Sequence, residues 1–171
     1  MDQKRKLATE TSLYTRDVFQ VLFEYEVSRS LRYPSPLTLL CISLETEGQS
    51  PESLQQARQA LIEILEQHLR ASDIPAYYGD DFVVLLPGTD ELGGRAVAER
   101  ILGRFRTTQK FTTERLTRMN VYIGLACRES GSSISAEQLL AEAMVAMNEA
   151  RMRKSFTYLP FSEIADQLPR P

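Results

Sequence analysis

Tryptophan is absent from this 171-residue chain, histidine occurs once, as His68, and there are only two cysteines, Cys41 and Cys127. That inventory excludes a multi-histidine or Cys-x-x-Cys zinc site. It also excludes a disulfide framework, so both thiols read as reduced and point to a reducing compartment, the cytoplasm. Long apolar runs are missing as well: none approaches the roughly 20 residues needed to cross a bilayer. The opening MDQKRKLATE carries charge without the apolar stretch of a signal peptide, so no membrane insertion is expected. Basic residues are not in excess either. Twenty Lys plus Arg against 23 Asp plus Glu leave a net charge of -3, which argues against binding long nucleic acids, where phosphate charge must be neutralised.

What is present is the composition of a globular protein, 43% hydrophobic and 25% charged, at a length suited to one domain of roughly 100 to 200 residues. From Leu13 to Arg32, Leu13, Val18, Phe19, Leu22, Phe23, Val27 and Leu31 recur near the helical period and predict an amphipathic helix. Pro34 and Pro36 end it. Pro36 to Glu45 is a dense apolar run that predicts a central strand. Ser50, Pro51 and Glu52 supply an N-cap, a first-turn proline and an early acid for a helix to about Arg70, with a stripe of Leu54, Ala57, Leu61, Ile64, Leu65 and Leu69.

Ile74 to Tyr78 and Asp81 to Leu86 are two strand-like pieces separated by little more than Gly79, which predicts a tight hairpin with acids at its tip. A helix follows over Asp90 to Thr107, with Leu92, Ala96, Val97, Ile101, Leu102 and Phe105 toward the core. Then come a strand over Met119 to Ala126, a helix over Ser135 to Arg153 capped by Ser135, and an edge strand over Phe156 to Leu159. Helices interspersed with strands, one pair of them joined by a tight hairpin, predict an α+β fold whose central sheet is mixed and mainly antiparallel, surrounded by helices. The expected division is an N-terminal linker or helix extension over 1–12, a domain over 13–160, and a poorly ordered tail over 161–171.

The hairpin presents Tyr78, Gly79, Asp80, Asp81 and Phe82, followed by VVLLPGT. It resembles the GGDEF domain, the diguanylate cyclase fold, whose hairpin carries Gly-Gly-Asp/Glu-Glu-Phe before a similar strand and a Pro-x-Thr exit. TSLYTR at 11–16, PLTLL at 36–40, RAVAER at 95–100 and YIGLA at 122–126 resemble further landmarks of that family, in the same order. The resemblance implies a site where divalent metals, held by converging carboxylates, help to join two GTP molecules. At the family's first-strand carboxylate position stands Ser43, with Glu45 two residues on. The hairpin motif is one glycine short, leaving Gly79, Asp80, Asp81 and Phe82.

The loop TEGQSPESLQQ, which in the family holds a phosphate lysine and guanine-reading residues, offers no ligand that can be assigned. ARMRKSF at 150–156 has Arg151 in the family's lysine position and Ser155 in place of a phosphate arginine. On this reading the substrate site is degenerate, and Asp80 and Asp81 are solvated turn acids.

Upstream lies Arg70-Ala71-Ser72-Asp73, the one R-x-x-D of the chain, with five residues between Asp73 and Gly79. In the resemblance this offset belongs to the inhibitory site where cyclic di-GMP binds, and a further arginine on the following helix corresponds to Arg100. Guanidinium forks suit guanine O6 and N7 or phosphate, and a carboxylate suits guanine N1 and N2. The bland reading of Arg70 and Asp73 is a helix-end arginine and an exposed turn acid in weak contact.

The expectation is therefore a catalytically inactive domain acting as a cyclic di-GMP receptor, needing no cofactor, with the ligand bridging two copies or a homodimer and a downstream protein partner. Two alternatives stand beside it. One is a weakly active diguanylate cyclase using magnesium on Glu45, Asp80 and Asp81. The other is a ligand-independent dimerisation module working through the Leu13 to Arg32 helix or the basic MDQKRK segment.

Overall fold

The densest apolar run forms the middle of the molecule: β1, Leu37–Leu44, is buried along its whole length and therefore packed on both faces. In the computed structural model, which describes residues 12–110, 119–154 and 157–169, the elements alternate around it. Helix α1 spans Arg16–Arg32, α2 Pro51–Gln67, α3 Glu91–Lys110 and α4 Ala136–Met152. The remaining strands are β2, Ile74–Tyr78, β3, Asp81–Pro87, β4, Val121–Arg128, and β5, Tyr158–Pro160. The sheet order is β2-β3-β1-β4-β5. Only the β4–β5 pair is parallel, so the sheet is mixed and mainly antiparallel.

Alternation along the strands sorts side chains to two faces. Leu40, Ile42, Phe82, Val84, Ile123 and Leu125 point to one, where α2 and α3 cover them with Leu61, Leu65, Val97, Ile101 and Phe105. Leu39, Cys41, Val83, Leu85 and Ala126 point to the other, covered by α1 and α4 through Phe19, Phe23, Val27, Leu139, Ala143 and Met147. The helices start where their caps predict: Ser50 and Ser135 accept hydrogen bonds from the backbone N–H of Ser53 and Gln138.

Four expectations are corrected. The first helix begins at Arg16, because Thr15 caps it and Tyr14 is instead bridged to β2. In that bridge Tyr14 N donates to Pro75 O and Tyr77 N to Tyr14 O, each at 3.0 Å. Leu13 is still buried, but before the helix, and Leu31 is exposed. On α3, Leu92 and Ala96 face outward, while Ala98 takes the inward place.

The tail is not loose as far as it is described. Residues 161–169 form two short 3-10 turns, Phe161–Glu163 and Ala165–Gln167. Ile164 is buried with Tyr122, Ala146 and Ala150, and Glu163 pairs with Arg95 at 2.8 Å. The last strand is Tyr158–Pro160, and the Phe156 expected in it lies outside the described residues, as do Ser155 and residues 1–11.

Candidate functional site

Antiparallel pairing puts the two groups of candidate residues at opposite ends of the β2–β3 hairpin, roughly 20 Å apart at 3.3 Å per residue. At one end are the turn, the close of β1 and the start of β4. Gly79 has φ +62° and Asp80 does not share the positive φ, which fits a two-residue hairpin turn with glycine at its first position. Asp80 is exposed and Asp81 half-buried. Arg58 of α2 lies over this turn, with its guanidinium 4.7 Å from the Phe82 ring centre and Nη1 donating to Asp80 O at 2.9 Å. Phe82 itself is wholly buried.

Ser43 is buried on β1. Glu45, just beyond the strand, accepts from Tyr122 Oη at 2.5 Å and from Asn120 Nδ2 at 3.3 Å. Both donors meet the same carboxylate oxygen, Oε2. Among the described residues no group of three or more His, Cys, Asp or Glu side chains is placed to hold a metal ion.

Burial, and then the carboxylate of Glu45, push the Tyr122 hydroxyl up to about 12 from the usual tyrosine value of about 10. The folded state therefore holds this proton where the unfolded chain releases it. The contribution is intact below pH 10 and is lost as pH rises through 12. Urea unfolding between pH 9 and 12 should show the wild type losing about 2 kcal/mol more stability than Tyr122→Phe over that window. Cys127, pushed up to about 11 by burial, titrates in both proteins and cancels in the difference.

At the other end of the hairpin, the α2–β2 connection and the β3–α3 connection meet. Asp73 accepts from Arg70 N at 2.8 Å through Oδ2 and from Arg70 Nη2 at 3.4 Å through Oδ1. The Asp73 side chain is 1% exposed and that of Arg70 is 58% exposed, so this acid is a buried anchor and not the exposed turn acid of the bland reading. Arg70 Nη2 also donates to Thr89 Oγ1 at 2.6 Å. Arg100 reaches across from α3 and donates from Nη2 to His68 O at 3.0 Å. The structure thus gathers Arg70, Asp73 and Arg100 around one short stretch of chain, His68 to Asp73. Thr89, Arg58 and Tyr122 were not singled out from sequence. Thr89 sits in the quoted VVLLPGT and Tyr122 in YIGLA, whereas no pattern marked Arg58.

With this geometry in hand, comparison with known proteins is informative. Residues 52–155 match the family described as "Diguanylate cyclase, GGDEF domain", and the chain belongs to that family. No curated protein matches it. Similar solved structures include the GGDEF domain of DgcB from Caulobacter crescentus in complex with c-di-GMP, with TM-score 0.73 and 14% identity over 89% of this chain and 93% of that one. The active GGEEF domain of a diguanylate cyclase from Vibrio cholerae has TM-score 0.76 and 15% identity, over 87% and 97% of the two chains. The diguanylate cyclase SiaD of Pseudomonas aeruginosa, solved with its activator SiaC, has TM-score 0.77 and 17% identity, over 92% of this chain and 63% of SiaD. At these identities the likeness is one of fold.

Proposed function

We propose that the chain is a catalytically inactive GGDEF domain that binds cyclic di-GMP at the site built by Arg70, Asp73 and Arg100, with the two arginines facing the ligand and Asp73 anchoring Arg70. The observation that supports this most is the contrast between the two ends of the hairpin. At one end two arginines suited to a guanine dinucleotide converge, one of them held by Asp73. At the other, Ser43 is buried and Glu45 Oε2 is engaged by Tyr122 and Asn120. Among the described residues no three His, Cys, Asp or Glu side chains gather there, so this end does not fit a divalent-metal centre, which needs several converging oxygen ligands. The DgcB domain, solved with c-di-GMP, supplies a relative of the same fold that binds this ligand.

The ligand lies across the arginines and not in a cavity. The cleft beside Arg70 and Asp73, walled by Tyr14 and Leu65, measures about 40 Å³, room for a few water molecules and far below the roughly 300 Å³ at which ligand pockets begin. Side chains displayed on a surface can meet a second copy of the protein, so a ligand-bridged dimer is the expected bound form. A downstream protein would then read the pairing.

Calorimetric titration with cyclic di-GMP should give saturable heat for the wild type. Arg70→Ala should bind about 10- to 100-fold more weakly, the range for losing a charge-assisted hydrogen bond or two. Absence of heat in the wild type sinks the receptor reading. Formation of cyclic di-GMP from GTP and magnesium at high protein concentration sinks the claim of inactivity.

A further inference from the structure

Thr89 was not among the candidate ligands, yet its hydrogen bond to Arg70, at 2.6 Å, is shorter than those Arg70 makes to Asp73 and Pro87. Building on the receptor reading above, we infer that Thr89 is the positioning residue of the site: its hydroxyl holds Arg70 Nη2, so that the rest of the guanidinium is presented to cyclic di-GMP in a fixed plane.

Three features make Thr89 a rigid post. Its backbone carbonyl accepts from Thr38 Oγ1 at 2.7 Å, and Thr38 is fully buried on the central strand. Its methyl group packs where Gly93 has no side chain, since a Cβ on Gly93 would lie 2.8 Å from Thr89 Cγ2. A β-branched residue fixed on both sides has one accessible χ1, and here that rotamer aims the hydroxyl at Arg70. Thr89 is itself nearly buried, at 9% exposure, so water competes poorly for the bond.

The consequence for recognition follows from counting donors. A guanidinium has five N–H groups in a planar fork. The two on Nη2 are directed to Thr89, Asp73 and Pro87 O, which leaves Nη1 and Nε for a ligand. Arg100 is held in the same manner, by Nη2 alone, at His68 O. Each arginine therefore enters binding with one amino group tethered, and less rotamer freedom is lost than for a free side chain. Asp73 in this arrangement supports Arg70 from beneath.

The test compares Thr89→Val, which removes the hydroxyl at nearly constant shape, with Thr89→Ser, which keeps it. Titration with cyclic di-GMP should show Thr89→Val binding about 10-fold more weakly than wild type, the scale of one lost hydrogen bond to a charged group, and Thr89→Ser within about 3-fold. Thermal melts of both variants control for folding. In the absence of ligand, guanidinium-detected nitrogen–proton spectra at low temperature should resolve the Nη2 hydrogens of Arg70 in wild type and Thr89→Ser, and show them averaged in Thr89→Val. Equal affinity of wild type and Thr89→Val overturns the inference while leaving the receptor reading intact. A wild type that binds nothing removes the receptor reading and with it the role assigned to Thr89 in binding. Spectra that are averaged in all three proteins overturn the positioning itself.

Discussion

Gly124→Ala should lose about 3 kcal/mol or more in urea unfolding, at or above the upper end of overpacking costs and a large share of the roughly 5 to 15 kcal/mol that holds a domain folded. Gly124 is in the middle of β4, opposite Cys41 of β1 and Leu159 of β5. Helix α4 crosses directly over it. A Cβ at this position would press into the backbone of that helix, at Met147 N and Ala143 O, deep inside van der Waals contact. A flexible side chain can rotate away from an added methyl, but a helix backbone cannot. Relief would require α4 to lift from the sheet and uncover Leu139, Ala143 and Met147, all buried. Circular dichroism of the purified variant, or its absence from the soluble fraction, checks this. A Gly124→Ala protein that melts within a few degrees of wild type would show that α4 is not so tightly seated.

Phe82→Ala should cost about 3 to 5 kcal/mol, the usual range for truncating a buried aromatic. Phe82 is the final residue of the hairpin signature, yet its surroundings are those of a core residue. It is wholly buried, its ring lies 5.8 Å from that of Tyr77, and the Arg58 guanidinium lies over both rings, 4.7 Å from the Phe82 centre and 5.6 Å from that of Tyr77. Truncation removes the apolar burial and the support beneath Arg58, whose bond to Asp80 O fastens the turn. Phe82→Leu, closer in volume, should recover more than half of the loss. If Phe82→Ala unfolds at the same urea concentration as wild type, the hairpin does not depend on this ring.

Both residues belong to motifs that were legible as family landmarks, and both serve the packing of the fold. That division explains what sequence conveyed. The apolar density of Pro36 to Glu45 announced a strand covered on both faces, and Ser50-Pro51-Glu52 announced a helix start, because these signals are local. The early start assigned to the first helix failed because Leu13 fits the helical period, while a non-local bridge from Tyr14 to Ala76 claims that backbone first. Leu92 and the tail misled in opposite directions: Leu92 fits the helical period but is exposed, and the tail, read as poorly ordered, places Ile164 among side chains of β4, β5 and α4.

The candidate site divides in the same way. Arg70, Asp73 and Arg100 were nominated by the resemblance to the family, the first two by their offset from the hairpin and the third by its place in RAVAER. Which atoms hold them was not, since Arg70 and Thr89 are 19 residues apart and Glu45 and Tyr122 are 77 apart. A resemblance nominates residues; only the assembled sheet shows which atoms they engage, as where Glu45 Oε2 meets Tyr122 and Asn120.

The Tyr14 bridge has one more effect. An open sheet ordinarily offers unpaired backbone at its two outer strands, and other chains can extend it there. Here the outer side of β2 is already engaged by Tyr14 through Pro75 O and Tyr77 N, and Pro75 has no N–H to donate. The opposite border, β5, is three residues long and ends in Pro160. Neither margin invites another strand, so self-templated sheet growth is guarded against at both ends, and docking by strand addition is disfavoured in the same stroke. Whatever this domain meets, it must grip by side chains, helices or a shared ligand.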